Sequence, residues 1–340
     1  MFTEAVITAL YPLLHKSFIG GRNEKRAVQM LCKVSSCGMM PISNMLGEEV
    51  RDREQAMRNA CAYIQHIRTL ALVRARRVGP LKNVALAVKP SHLGISILTD
   101  DEFQNIVQSL ARECMLAGIE CTVDAEDTEI NKRAYPIIKR IHAMMGCFGL
   151  GACFQANDEM NRGEYADFLK RGIRVRIVKG AYFGTVADNR DISEEFLSMT
   201  RLAVESQSVI ELGTHDIRLL GSVLRHLRKN NIQKNRVRIQ MLYGIGMEMQ
   251  TALVKGDMKT FCETVHPSQW HIAYSRRDEF FTYGHENVMT YVPWGTLWVG
   301  RRYLLRRITE GMRFGLAELF LKNIFGSLYW QYAHRLRKNL

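Results

Sequence analysis

The sequence is poor in the features that mark special architectures. Its 340 residues contain no apolar run near the ~20 needed for a membrane-spanning helix. None of the eight cysteines pairs with another at C-x-x-C spacing, and no Cys/His cluster has the spacing of a zinc site. The ten histidines are scattered, with no His-x-x-x-His pair or carboxylate triad, so no metal is expected. The opening residues lack a basic n-region and a small-residue cleavage site, and are not expected to act as a secretory signal. Against these absences stand 47% hydrophobic and 24% charged residues, enough for a sizeable core. Lys and Arg (47) exceed Asp and Glu (34), a net charge of +13. Such a balance attracts anions of any kind: nucleic acid, lipid headgroups, or a phosphate-bearing cofactor with an acidic substrate. Cysteines such as Cys121 and Cys153 sit within apolar runs, which suits buried free thiols in a reducing compartment such as the cytoplasm.

Short β-rich runs recur along the chain: Met39–Leu46, Val84–Lys89, Glu120–Asp124, Phe148–Gln155, Arg174–Lys179, Val209–Thr214, Arg236–Leu242 and Val288–Pro293. The stretches between them have helical periodicity, clearest in the stripe Leu219, Leu220, Val223, Leu224 and Leu227. Asp100 and Asp127 stand where N-caps are wanted, and Gly118, Gly146 and Gly172 where helices close. Eight strands alternating with helices predict an α/β fold of the (β/α)8 TIM-barrel type. An open doubly wound sheet would want a glycine-rich phosphate turn after its first strand. The nearest candidate, Gly244-Ile245-Gly246, is incomplete and follows the seventh. The expected organisation is a helical lead over residues 1–38, the barrel over 39–315, and a basic amphipathic tail over 316–340. Residues 256–286 form an insertion before the last strand, read as a surface excursion or, less often, a lid.

In such a barrel the strand ends face the catalytic mouth. They read Lys89, Asp124, Gln155, Lys179, Thr214-His215, Leu242-Tyr243 and Tyr291. One polar strand end is ordinarily a solvated boundary residue; six converging on one rim point to function. Beyond them, Tyr303 to Glu310 reads as a helix carrying adjacent Arg306 and Arg307, with Glu310 at bracing distance. Laid over the mouth, the two planar guanidiniums would grip one small carboxylate in a way lysine cannot copy.

At these residues the chain resembles the proline dehydrogenase family. Asn44-Met45-Leu46-Gly47-Glu48 is similar to its Asp-x-Leu-Gly-Glu, Val88-Lys89 to its second-strand lysine motif, and Val123-Asp124-Ala125-Glu126 to its Asp-Ala-Glu strand. Gln155-Ala156 resembles its Gln-Ala pair, and Arg176-Ile177-Val178-Lys179-Gly180-Ala181-Tyr182 its most specific string. Gly213-Thr214-His215-Asp216, Gln240 to Gly244, Tyr291 to Gly295, and Tyr303 to Glu310 complete the ordered set. Departures are Asn44 for Asp, Asn157 for Tyr, Ile245 for Met, and Gly311 after the final Glu.

The resemblance implies noncovalent FAD and oxidation of L-proline to Δ1-pyrroline-5-carboxylate, by hydride transfer to flavin N5. A quinone would be the electron acceptor. It implies Lys89, Arg306 and Arg307 on the substrate carboxylate, Glu310 bracing an arginine, and Leu242, Tyr291 and Tyr303 around the proline ring. Asp124 and Arg176 take the catalytic positions. Ala125, Gln155, Arg176, Lys179, Gly180, Ala181, Tyr182, Thr214 and His215 are the cofactor contacts. Hydroxyproline is an alternative substrate, since one hydroxyl changes only the pocket wall. A Schiff-base lyase acting through Lys179 or Lys89 is a remoter alternative. A nucleic-acid module is disfavoured, because aromatics are not interleaved with the basic residues. The basic tail with Leu319, Phe320, Ile324, Phe325, Leu328, Tyr329 and Trp330 suggests contact with an anionic membrane, where a quinone resides. That would put the protein on the inner face of the cytoplasmic membrane, or in the mitochondrion of a eukaryote.

Overall fold

A computed structural model of the chain describes residues 15–304, apart from 16, 48–49, 76–80, 147–148, 160–161, 181–188, 266–268 and 302. Helix α1 (Glu24–Ser36) leads into β1 (Met40–Met45), α2 (Arg53–Ala75), β2 (Ala85–Val88), α3 (Asp100–Ala117), β3 (Glu120–Val123) and α4 (Thr128–Met145). There follow β4 (Leu150–Gln155), α5 (Arg162–Lys170), β5 (Val175–Val178), α6 (Asn189–Val204), β6 (Ile210–Gly213), α7 (Ile217–Lys229) and β7 (Val237–Leu242). Four helices, α8 (Met247–Lys255), α9 (Met258–Thr264), α10 (Trp270–Ser275) and α11 (Arg277–Gly284), precede β8 (Val288–Trp294). All eight expected strands are present, parallel and in sequence order, with β8 closing onto β1.

Local chemistry sets the element ends. Asp127 caps α4 through Ile130 N–H, as expected. Helix α3 departs from expectation by one residue: Thr99, not Asp100, is its N-cap. A reciprocal capping box with Glu102 satisfies two backbone donors, which one Asp would not. In α7 the stripe from Leu219 to Leu227 is buried, and Asp216 caps the helix through the N–H groups of Arg218 and Leu219.

Strand side chains alternate between the outer helical shell and the barrel interior. On the outside, Phe154 stacks on Tyr135 at 4.4 Å and meets the rings of Tyr165 and Phe168 edge-on at 5.2 and 5.1 Å. Full burial of such a ring is worth roughly 2–3 kcal/mol, so this shell carries much of the stability. Also outside, Trp294 Nε1 donates to Ser43 Oγ at 2.9 Å, which lies 2.8 Å from His66 Nε2; His66 Nδ1 lies 2.9 Å from Glu24. Ser43 and His66 are fully buried, so this array tethers α1 to the wall and is closed to substrates.

The stretch 256–286 folds into α9–α11 and fills the outer layer between β7 and β8. Phe261 and Phe280 are buried 4.9 Å apart, and Tyr283 donates to Ile232 O at 2.8 Å. It is therefore a packed part of the shell and not a cover for the mouth. Cys114, Cys121, Cys153 and Cys262 are buried free thiols. No helix among the described residues is long and apolar enough to cross a membrane.

Candidate active site

The interior is filled unevenly. Toward β1, β2 and β8 it holds Ile42, Ala85, Ala87 and Met289, with Met40 and Tyr291 packed against them. Toward β3–β7 it holds charge. Arg174 Nη1 lies 2.7 Å from Glu211, and Arg238 Nη1 lies 3.2 Å from the same carboxylate. Arg238 Nη2 also donates to Glu120 at 2.9 Å. Gly151 makes room for Arg174: a Cβ there would lie 3.1 Å from the guanidinium carbon.

Above this layer, at the C-terminal rim, Arg176 Nη1 donates to Asp124 Oδ1 at 2.6 Å. Tyr291 Oη donates to Asp124 Oδ2, also at 2.6 Å, and the Arg176 guanidinium stands 5.6 Å from the Tyr291 ring centre. β5 aims Arg176 inward, Asp124 is the first residue past β3, and β8 carries Tyr291 across to both. Burial alone would lower the Arg176 pKa, but Asp124 and its other neighbours raise it above the usual value. Burial, reinforced by Asp124, pushes the Tyr291 hydroxyl well above its usual value, so it remains a donor. Tyr303 is buried and close enough to add to that effect. Burial likewise keeps Cys153, on the strand beside Arg176, a neutral thiol with its pKa pushed up to about 12.

The remaining rim residues are wired to one another. Lys179 Nζ pairs with Asp216 at 2.8 Å. Burial opposes charge on Asp216, but Lys179 and the capped N–H groups overcome it and lower its pKa. His215 Nε2 accepts the Leu242 N–H at 2.8 Å, which makes Nδ1 the protonated nitrogen of a neutral ring. Thr214 Oγ1 accepts from Asp216 N–H at 3.1 Å. Gln155 Nε2 donates to Glu126 O at 2.7 Å, and the Glu126 carboxylate accepts Ser91 N–H and Oγ–H at 2.6 and 2.7 Å. Ala125 is buried, whereas Leu242 is half-buried. Gly180 has φ +121°, and a Cβ there would lie 2.0 Å from Asn157 Oδ1, so only glycine fits. Lys89 is half-buried at the end of β2, and burial together with Lys89 lowers the pKa of His92 to about 4.

The structure thus brings Asp124, Arg176, Lys179, Gln155, Thr214, His215, Leu242 and Tyr291 to one rim. Ala181, Tyr182, Arg306, Arg307 and Glu310 lie outside the described residues. Sequence reasoning did not single out Asp216 and Glu126 as site residues, nor Glu211, Arg174, Arg238 and Glu120 at all. The available signal was a charge in the middle of an apolar strand, as in Val209-Ile210-Glu211-Leu212. Chemically, the rim offers a guanidinium and an ammonium, each paired with a carboxylate, beside side-chain amide and hydroxyl groups, while Gly180 makes room for Asn157. These suit a ligand with several hydrogen-bonding atoms.

Comparison with known proteins identifies the family and the fold. The proline dehydrogenase family pattern matches residues 27–313. A proline dehydrogenase of Deinococcus radiodurans is 23% identical over 274 residues, spanning 78% of this chain and 85% of that protein. Proline dehydrogenase 2 of Bacillus subtilis is 22% identical over 296 residues, 86% of this chain and 84% of that one. The fold is shared with proline utilization A of Bdellovibrio bacteriovorus (TM-score 0.72, 19% identity, 91% of this chain) and of Bradyrhizobium japonicum (0.65, 16%, 88%). This chain spans only about a third of those larger proteins, 34% and 31%.

Proposed function

Since the chain belongs to the proline dehydrogenase family, we propose that it oxidises L-proline to Δ1-pyrroline-5-carboxylate, with FAD held at the barrel rim and a quinone taking the electrons. The observation that carries this reading is the Arg176–Asp124–Tyr291 cluster, buried at the strand ends where the resembling motifs converge. Bound FAD would supply the hydride acceptor for the carbon beside the proline nitrogen.

The chain's own residues supply binding, orientation and electrostatics. Gln155, Lys179, Gly180, Ala181, Tyr182, Thr214 and His215, with Ala125 beneath, would hold the cofactor. Arg176 contributes fixed positive charge where reduction accumulates electron density. Arg306, Arg307 and Lys89 would grip the carboxylate, Glu310 would brace an arginine, and Leu242, Tyr291 and Tyr303 would wall the ring. Asp124, with one oxygen on Arg176 and the other on Tyr291, serves first as the anchor that sets both. Contact of the basic 316–340 segment with an anionic membrane belongs to the same reading, because it would bring the rim near a quinone.

The test is spectroscopic. Protein purified with FAD should be yellow, and its absorbance should bleach when L-proline is added without oxygen. Colourless protein that takes up no FAD, or a yellow protein indifferent to proline, overturns the proposal.

A further inference from the structure

The charged layer beneath the mouth is more than that cluster requires. Glu211 is fully buried, and backbone register places it beside Arg176 on β5 and Arg238 on β7. Its two oxygens face different ways. Oε1 serves the lower guanidiniums, Arg174 at 2.7 Å and Arg238 at 3.2 Å. Oε2 has no hydrogen-bond partner among the described residues and lies 3.8 Å from Arg176 Nε, which also lacks one. Arg176 therefore has a carboxylate at each end of its guanidinium, Asp124 above at Nη1 and Glu211 below at Nε.

We infer that Glu211 is a positioning residue for Arg176: from the layer below, it fixes the angle at which that guanidinium is presented to the rim. Asp124 alone leaves the guanidinium free to pivot about its Nη1 contact, whereas a second carboxylate facing Nε at 3.8 Å favours one orientation electrostatically. Charge also balances within the layer. Glu120, Asp124 and Glu211 face Arg174, Arg176 and Arg238, so three carboxylates meet three guanidiniums. Burial would protonate Glu211, but Arg174, Arg176 and Arg238 together lower its pKa, so the lower anchor stays ionised. A purely structural carboxylate would do its work on Arg174 and Arg238 alone and would leave the rim unaffected.

The inference rests on the proposed function, so wild-type FAD binding and proline oxidation are measured first. Their absence overturns that reading and leaves Arg176 without a ligand toward which Glu211 could orient it. Two double variants, each removing one charge of either sign, then separate positioning from structure. Arg174→Gln with Glu211→Gln removes the lower anchor and leaves the Asp124–Arg176 and Glu120–Arg238 pairs intact. Glu120→Gln with Arg238→Gln removes the other, more exposed pair of the layer and keeps Glu211 on Arg176. Loss of the anchor should lower kcat/KM for proline about tenfold to about a hundredfold and displace the visible band of the bound flavin. The second variant should stay within about twofold of wild type, with an unmoved band. Equal effects in both variants, or none in the first, overturn the positioning role. Should the first double variant fail to fold, Glu211→Gln alone is compared with the second under the same criteria.

Discussion

Two sides of one barrel interior solve the same filling problem differently. The β1, β2 and β8 side uses Ile42, Ala85, Ala87 and Met289, whose packing needs no partner chemistry. The β3–β7 side uses Glu120, Asp124, Arg174, Arg176, Glu211 and Arg238, each dependent on another strand for its counter-charge. Burying an ion costs several kcal/mol even after relaxation, and well-packed apolar residues in place of such pairs are often neutral or stabilising by about 1–4 kcal/mol. Stability alone does not account for the charged side. What charge supplies and Ile or Ala cannot is a rigid cation at the mouth, delivered by Arg176 already oriented. On the proposed function, the difference teaches that most of the barrel's apolar ballast and its charged site lie on different sides of a single core, with Tyr291 joining them.

The contrast can be broken most forcefully at Asp124. Asp124→Asn should destabilise by about 3–5 kcal/mol in urea unfolding, since it strands a buried guanidinium. It should also lower kcat/KM about a hundredfold by releasing Arg176. A loss below about 1 kcal/mol would show that the charged side behaves like exposed surface pairs.

Acid should then separate the two sides by pH. His92, next to β2, has a folded-state pKa of about 4 against 6.5 unfolded, so the unfolded chain takes up the proton first. The neutral-ring contribution is complete above pH 6.5 and fades as pH falls toward about 4, on the order of 3 kcal/mol in all. Urea midpoints across that range should slope in the wild type and slope less in His92→Gln, the remainder coming from His15, His142 and His226, whose pKa values burial also lowers. Glu211 and Asp216, whose folded pKa values are lowered, contribute above their unfolded values and lose that contribution only as pH falls below about 4.

A smaller effect is expected at the junction of the two sides. Tyr291→Phe removes a 2.6 Å hydrogen bond to Asp124, for a loss of about 1.5–3 kcal/mol and a raised KM for proline. Within the apolar side, Ile42→Val should cost about 0.5–1.5 kcal/mol and leave kcat/KM unchanged. A kinetic defect there would erase the distinction between the two sides.

The eight strands and most helix ends were legible because hydrophobic periodicity is a local property, and burial on both faces leaves a parallel strand a short apolar run. Misplacing the α3 cap at Asp100 shows the limit of that reading, since Thr99 wins only when Glu102 folds back to complete the box. The 256–286 stretch looked like an excursion because its own helices are short; Phe280 becomes core only once α7 and β7 are beside its helix, and Phe261 by packing on Phe280. Of the candidate site, the rim residues were readable as strand ends and family strings, but their partnerships were not. Arg176 and Asp124 are 52 residues apart, and Tyr291 and Asp124 are 167 apart.

By itself the sequence determined the alternation of strand and helix, the closure into a barrel, and which residue types would reach the mouth, because side-chain parity and strand order follow from nearest neighbours along the chain. Only the tertiary structure decided that Asp124 binds Arg176 and Tyr291, that Lys179 binds Asp216, and that Glu211 stands beneath them. Ion pairs across a barrel depend on the register of strands distant in sequence, and a shift of one residue would turn each of these charges to the other face.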